Sequence, residues 1–148
     1  TGFTLIEILT VIAIIGILMG IVIPVIGEAN RKSKIANVKA TIAKIEIALS
    51  SYESDWSDFP PSGSNLNDTS SQNLYYYLYK TRRLGGAEYM KIKKSEINNN
   101  NQLLDPWKGT YKVNVTNPIH NTETFDISSD GPDATQDSED DIDNWTRE

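Results

Sequence analysis

The sequence predicts an α+β protein in which a long N-terminal helix packs on a small antiparallel β-sheet. Three observations predict it. Residues 8–27 carry no charge, and Thr10 is their only clearly polar side chain. Beyond them Ile35, Val38, Ile42, Ile45, Leu49 and Tyr52 recur at spacings of 3, 4, 3, 4 and 3, one stripe on a helix. Farther on Tyr111, Val113 and Val115, then Phe125 and Ile127, alternate with polar residues as half-buried strands do.

At 148 residues, with net charge −6 and mean hydropathy −0.40, the chain averages out as an acidic soluble protein of about one domain. The average hides a segregation. Residues 128–148 hold eight acidic side chains against Arg147, a balance of −7, so residues 1–127 sum to +1. No basic stripe exists to release phosphate counterions, so nucleic acid is not an expected partner. The absence of cysteine excludes a disulfide framework, a thiol nucleophile and a Cys-type zinc site. His120, the single histidine, lies in the polar stretch 117–124 and reads as a surface-loop residue. An enzyme would need an acid pair such as Asp55 and Asp58 poised in a cleft; these read as a solvated helix end, and no enzymatic activity is expected.

Residues 8–27 match the roughly 20 residues that cross a bilayer core. A secretory signal would have a shorter apolar region closed by an Ala-x-Ala-like site, and a buried core helix would need more protein around it. A membrane span is the better reading. Arg31, Lys32, Lys34, Lys39 and Lys44 follow it, which taken literally would put the C-terminal part in the cytoplasm. The chain does not start with Met, and a removed leader carrying its own basic residues would reverse that inference. Glu7 at the head of the apolar segment is costly unless paired, and so marks function; the plainer reading is a carboxylate at the interface, favoured by the helix dipole. Pro24 removes a backbone donor and predicts a kink or a locally melted stretch. Gly16, Gly20 and Gly27 read equally as helix-packing surfaces and as ordinary membrane glycine usage.

The amphipathic part of the helix is expected over residues 28–58 and a globular α+β head over residues 59–148. Phe59-Pro60-Pro61-Ser62-Gly63-Ser64 ends the helix and starts a loop, and residues 65–71 read as loop. Residues 74–84 read as a short helix whose tyrosines (Tyr75, Tyr76, Tyr77, Tyr79) pack on the long helix, in preference to forming a stacking platform. Residues 96–102 form a loop, and strands at 110–116 and 124–128 form an antiparallel pair. In the acidic segment 128–145, mutual repulsion favours a solvated tail. Gly131-Pro132 as a turn, with Ile142 and Trp145 as anchors, favours an ordered loop instead. Calcium takes six to eight hard oxygens at flexible geometry and would turn repulsion into coordination; magnesium is more exacting. The spacing is not that of an EF-hand.

Gly2-Phe3-Thr4-Leu5-Ile6-Glu7 resembles the processing site of type IV pilins and type II secretion pseudopilins. Leu104-Asp105-Pro106-Trp107 with Gly109 and Tyr111, and the run 125–133 followed by Asp140-Asp141-Ile142 and Asn144-Trp145, resemble the major pseudopilins, the branch without the cysteine pair. The resemblance implies a pilin-like fold, with residues 1–2 as the end of a leader and 3–27 as a membrane or filament-core helix. It implies that a prepilin peptidase cuts after Gly2 and methylates Phe3, that Glu7 pairs with the N-terminal amine during assembly, and that the helix breaks locally at Pro24. It implies Ca²⁺ held by the side chains of Asp133 and Asp141 and the carbonyl of Asp130, with Asp140 as an alternate. The implied function is a helical pseudopilus that drives protein export, built from copies of this chain together with minor pseudopilins and an inner-membrane secretion platform. The precursor would be a single-pass protein of the inner membrane, in contact with lipid before assembly, with its head in the periplasm; the filament would stand in the periplasm or at the cell surface. The alternatives are a type IV or competence-type pilin (adhesion, motility, DNA uptake) and a membrane-tethered calcium-binding module.

Overall fold

A computed structural model describes residues 2–60, 74–80, 88–115 and 118–146. The expected loop 65–71, most of the breaker cluster, residues 81–84 of the expected short helix and the end of the first expected strand at Thr116 lie outside them. The chain divides into two compact units, residues 1–34 and 35–148.

Helix α1 spans Leu5–Trp56, close to the expected extent. Over residues 8–27, inside the first unit, it is uncharged on every face, and it contains a stretch long and apolar enough to cross a membrane, none of which is buried inside the chain. Ile8, Ile12, Ile15, Val22 and Ile26 are all exposed. The helix continues through position 24, so the expected melted stretch is not present. The carbonyl that loses its partner to a proline at position 24 belongs to residue 20, four positions earlier. Residue 20 is a glycine, the residue with the greatest backbone latitude.

In the second unit the predicted stripe is the core. Val38, Ile42, Ile45, Leu49 and Tyr52 are buried, and Ile35 packs half-buried against them. Helix α1 closes with Ser57 in the left-handed region (φ 56°), its N–H donating to the Glu53 carbonyl at 2.6 Å, a single-bond C-terminal cap.

The expected α-helix at 74–84 is instead a π-helix over Tyr75–Lys80. Leu74 and Leu78 are buried in the core, while Tyr75, Tyr77 and Tyr79 pack at its margin and Tyr76 is half exposed. Along the π turn the rings pair, Tyr75 with Tyr79 and Tyr76 with Tyr77, each at 5.2 Å between centroids. The asparagine run is a turn, as expected: Asn98 Oδ1 accepts the N–H groups of Asn100 (2.9 Å) and Gln102 (3.0 Å) between the bridged residues Ile97 and Leu103.

The sheet has three strands in the order β1-β2-β3: β1 (Lys112–Asn114), β2 (Asp126–Ser129) and β3 (Ile142–Asp143). The antiparallel pairing of the two expected strands is found, with Val113 opposite Ile127. Strand β3 is an addition. It lies inside the acidic segment and pairs Ile142 with Ser129, so the segment is an ordered loop folded back on the sheet. Ile127 and Ile142 are buried and join the core lining.

Candidate functional site

Two regions carry the residues singled out in the sequence. At the N-terminus, Gly2 and Phe3 lie ahead of α1 in non-helical, exposed chain, leaving the bond between them accessible. Thr4 and Glu7 form a reciprocal capping box. The Glu7 N–H donates to Thr4 Oγ1 at 3.4 Å, while Glu7 Oε2 accepts the Thr4 N–H at 2.8 Å and the Thr4 hydroxyl at 2.7 Å. Two otherwise orphaned groups of the first turn are thereby satisfied. Sequence reading treated Glu7 alone and missed this partner, although Thr-x-x-Glu before an apolar run is its signature. The box engages only Oε2, leaving Oε1 to accept from an amine.

The acidic loop is held from three sides. Asp105, buried, accepts the N–H groups of Trp107 and Gly109, each at 2.8 Å, through Oδ1 and the Ser129 hydroxyl at 2.7 Å through Oδ2. The Asp-Pro-Trp-Lys-Gly turn thus staples β2 at the point where the loop departs. Asn144 closes the far end: its Oδ1 accepts the Ile127 N–H at 2.9 Å and its amide donates to the Phe125 carbonyl at 3.1 Å. Lys112 Nζ pairs with Asp130 Oδ1 at 2.7 Å and donates to Gln136 Oε1 at 2.9 Å. Gly131 has φ +64°, and a Cβ there would collide with the Asp140 carbonyl oxygen, so only glycine permits this closure.

Within the loop Asp133, Asp140 and Asp141 gather around one hydroxyl. Ser138 Oγ is 2.6 Å from Asp140 Oδ1, 3.2 Å from Asp141 Oδ1 and 3.4 Å from Asp133 Oδ1. A hydroxyl has one proton to give, so it serves only one of the three carboxylates at a time. The Ser138 hydroxyl, and less strongly the Asp133 N–H, hold the Asp140 carboxyl below its ordinary range. Among the described residues no three Asp, Glu or His side chains are grouped as a ready metal-ligand set. The side chain of Asp130 is committed to Lys112, which leaves its carbonyl as its donor. What the loop offers a cation is therefore a mixture of carboxylate and carbonyl oxygens, all hard donors, which fits calcium's chemistry.

Beside the loop, Asp126 is an organising residue that the sequence reading did not single out. Its Oδ2 accepts the N–H groups of Ile119 (2.6 Å) and His120 (3.0 Å) and its Oδ1 that of Asn121 (2.8 Å). Burial pushes its pKa up, but these three donors and nearby His120 together hold it below the usual value. His120 stacks on Trp145 with ring centroids 4.1 Å apart and planes 3° from parallel, joining the 118–126 connection to the end of the acidic loop. Asp55, one of the two acids considered for catalysis, accepts the Tyr89 hydroxyl at 2.8 Å, and Asp58 Oδ1 accepts the Phe59 N–H at 2.8 Å. Both serve the end of α1.

The family described as type II secretion system (T2SS), protein G matches residues 25–145. Similar proteins include the type II secretion system core protein G of Klebsiella michiganensis, 34% identical over 98% of this chain and 92% of that protein. That of Escherichia coli K12 is 31% identical over 97% of this chain and 90% of its own length. A crystal structure of the major pseudopilin from the type 2 secretion system of enterohaemorrhagic Escherichia coli aligns at 25% identity, covering 82% of this chain and 94% of that one, with a TM-score of 0.47. The chain belongs to the type II secretion system protein G family.

Proposed function

We propose that the chain is the major structural subunit of a type II secretion pseudopilus, stored in the inner membrane by its apolar half-helix and polymerised through that helix into a filament. One observation carries this reading: residues 8–27 of α1 are apolar on every face but for Thr10, and they are buried by nothing in their own chain. Such a surface requires lipid or other copies of itself. Family membership supports a secretion pseudopilus over the adhesive or competence-pilin reading. The head would face the periplasm, and minor pseudopilins and an inner-membrane platform would be the partners. A prepilin peptidase would cut after Gly2 and methylate the amine of Phe3. Glu7 Oε1 would then accept from that amine, its own or a neighbour's, while Oε2 keeps the Thr4 cap.

The same reading places calcium in the acidic loop, on the side chains of Asp133 and Asp141 and the carbonyl of Asp130, with Asp140 alternating. The ion would supply two positive charges among carboxylates that repel one another, and binding only to the folded head adds stability by mass action. Gly131 sets the loop's closure and Lys112 holds Asp130, so the chain prepares the backbone path before the ion arrives.

The test is co-expression of the full chain with a prepilin peptidase, followed by mass spectrometry of its N-terminus and electron microscopy of sheared filaments. Cleavage after Gly2, one added methyl group and filaments lost in Glu7→Ala are expected. An uncleaved chain, or filaments unaffected by Glu7→Ala, would sink the assembly mechanism. For the ion, thermal unfolding with excess Ca²⁺ against a chelator is expected to differ, and the difference to vanish in Asp133→Ala. Superimposable curves would remove calcium and leave the filament reading in place.

A further inference from the structure

In the second unit a cavity of about 490 Å³ opens between α1 and the segments at 90–96 and 103–111. Thr41 and Tyr111 lie on its wall, the Tyr111 hydroxyl hydrogen-bonded with Thr41. Its rim carries Lys44, Lys91, Lys93 and Lys108, all exposed. Two acids also line it, and both are committed elsewhere. Asp105 spends its carboxylate on Trp107, Gly109 and Ser129, and Glu96 Oε2 accepts the Lys93 N–H at 2.9 Å. Among the described residues none of the four ammonium groups has a carboxylate within ion-pair distance. Like charges gathered around a concave surface repel unless an anion joins them.

The same unit carries the complementary charge elsewhere. Of the acidic side chains at 128–146, Asp130 is paired with Lys112, Asp133, Asp140 and Asp141 gather at Ser138, and Asp143 accepts from Trp145 and Thr146. Asp137 and Glu139 remain: both are exposed, and among the described residues neither side chain has a partner. Asp137 sits at φ +63°, and Lys112 clamps the neighbouring Gln136, so this tip is fixed on the body of the head.

Building on the filament reading, we propose that the lysine-rimmed cavity receives the Asp137–Glu139 tip of the acidic loop from a second copy of the chain. Donor and acceptor patches are made of different residues of one molecule, so the contact is heterologous. Contacts of that kind, when the rotation does not close, propagate into open helical filaments. The segregation of charge, +1 before residue 128 and −7 after it, becomes the means by which copies attract and register. The carboxylates around Ser138 are not used, so docking and an ion in the loop are compatible.

The chain has no cysteine, which makes the test clean. Full-length Lys93→Cys and Glu139→Cys chains, one bearing a tag that alters its gel mobility, are co-assembled and oxidised. A mixed disulfide dimer is expected, and it should be absent when Glu123→Cys replaces Glu139→Cys. The double variant Lys91→Glu/Lys93→Glu should yield roughly tenfold fewer filaments, and adding Asp137→Lys/Glu139→Lys should restore them. Filaments without the mixed dimer, or normal assembly of the double variant, overturn the docking while the filament reading stands. Protection of Lys91 and Lys93 from acylation by inorganic phosphate, with no mixed dimer, overturns it in favour of a small-anion site. If the unaltered chain forms no filaments, the filament reading falls first and the docking with it.

Discussion

Ile15 and Ile45 lie on the same helix and meet opposite surroundings: Ile15 is 48% exposed and Ile45 is fully buried. Around Ile45 the chain supplies its own apolar environment, from Leu78, Leu103, Val113 and Ile127 to the ring of Tyr111. Around Ile15 it supplies none. The head therefore owes its stability to contacts within one molecule, whereas the N-terminal unit is completed only by lipid or by neighbouring copies. Folding and assembly are in this way written into separate halves of one helix, and substitutions in the two halves should fail in different ways.

The largest effect is expected where the apolar unit is given a charge. Ile15→Lys places a cation mid-segment, at about 3 kcal/mol on insertion scales, and should abolish membrane retention and filaments. The thermal unfolding midpoint of the head in the detergent-solubilised chain should stay unchanged. Ile45→Ala should do the reverse at the folding level, lowering head stability by about 2–5 kcal/mol through lost burial and a residual cavity, while fractionation still finds the chain in the membrane. A fall in the head's midpoint with Ile15→Lys would show that the two halves are energetically coupled.

Next comes the staple between the turn at 105–109 and the acidic loop. Asp105→Ala strands two backbone N–H groups and the Ser129 hydroxyl, at about 1–3 kcal/mol. It should also loosen the loop, so hydrogen exchange at Gly131 is expected to rise more than at Val113. Equal rises would mean that Asp105 supports the whole head and not the loop in particular.

The acid limb of stability is a smaller effect. The folded-state pKa of Asp126 lies below its unfolded value, so its contribution is present above the ordinary carboxylate range and is lost as pH falls through the depressed value. Asp126→Asn should flatten that limb between neutral pH and strongly acid conditions. At the alkaline end burial lifts Tyr111 from 10.0 to about 12, so its neutral form stabilises the fold below pH 10, and that support drains away as pH rises towards 12. Tyr111→Phe should weaken the alkaline dependence, leaving the smaller contributions of Tyr52 and Tyr89, whose hydroxyls burial also pushes up, as read by chemical denaturation across the range.

The two halves also differed in how much their sequences disclosed. The apolar run and the Ile35-to-Tyr52 stripe were legible because burial along a helix leaves a period, and the structure buries that stripe at the expected positions. β1 and β2 were legible for the same reason at a period of two. Strand β3 was not, because two residues have no period and only their pairing with β2 defines them. The duties of Asp105 and Asp126 were equally hidden. Each carboxylate serves backbone N–H groups, which every residue type possesses, so no residue pattern marks the partners. The lysine rim escaped because its members come from α1 and from two separate later segments. Three carboxylates of the acidic loop gather at one hydroxyl, Ser138, that no composition argument would single out.

The smallest effect separates two roles that Glu7 combines. Its carboxylate caps α1 through Oε2 and, under the assembly mechanism, receives an amine through Oε1. Thr4→Ala removes the capping hydroxyl and leaves the Glu7 charge, so it should cost about 1 kcal/mol of helix-start stability and lower filament yield only a few-fold. Glu7→Gln keeps an oxygen able to accept from the Thr4 N–H but loses the charge, and should lower yield far more. Fractionation and filament counts on both variants and on the double variant read this difference. If Thr4→Ala were as damaging as Glu7→Gln, the carboxylate would be acting as a cap and the amine pairing would have no work left to explain. If Glu7→Gln alone is severe and adding Thr4→Ala makes little difference, the charge is what assembly uses, and the capping box serves to hold that charge at the head of the uncharged segment 8–27.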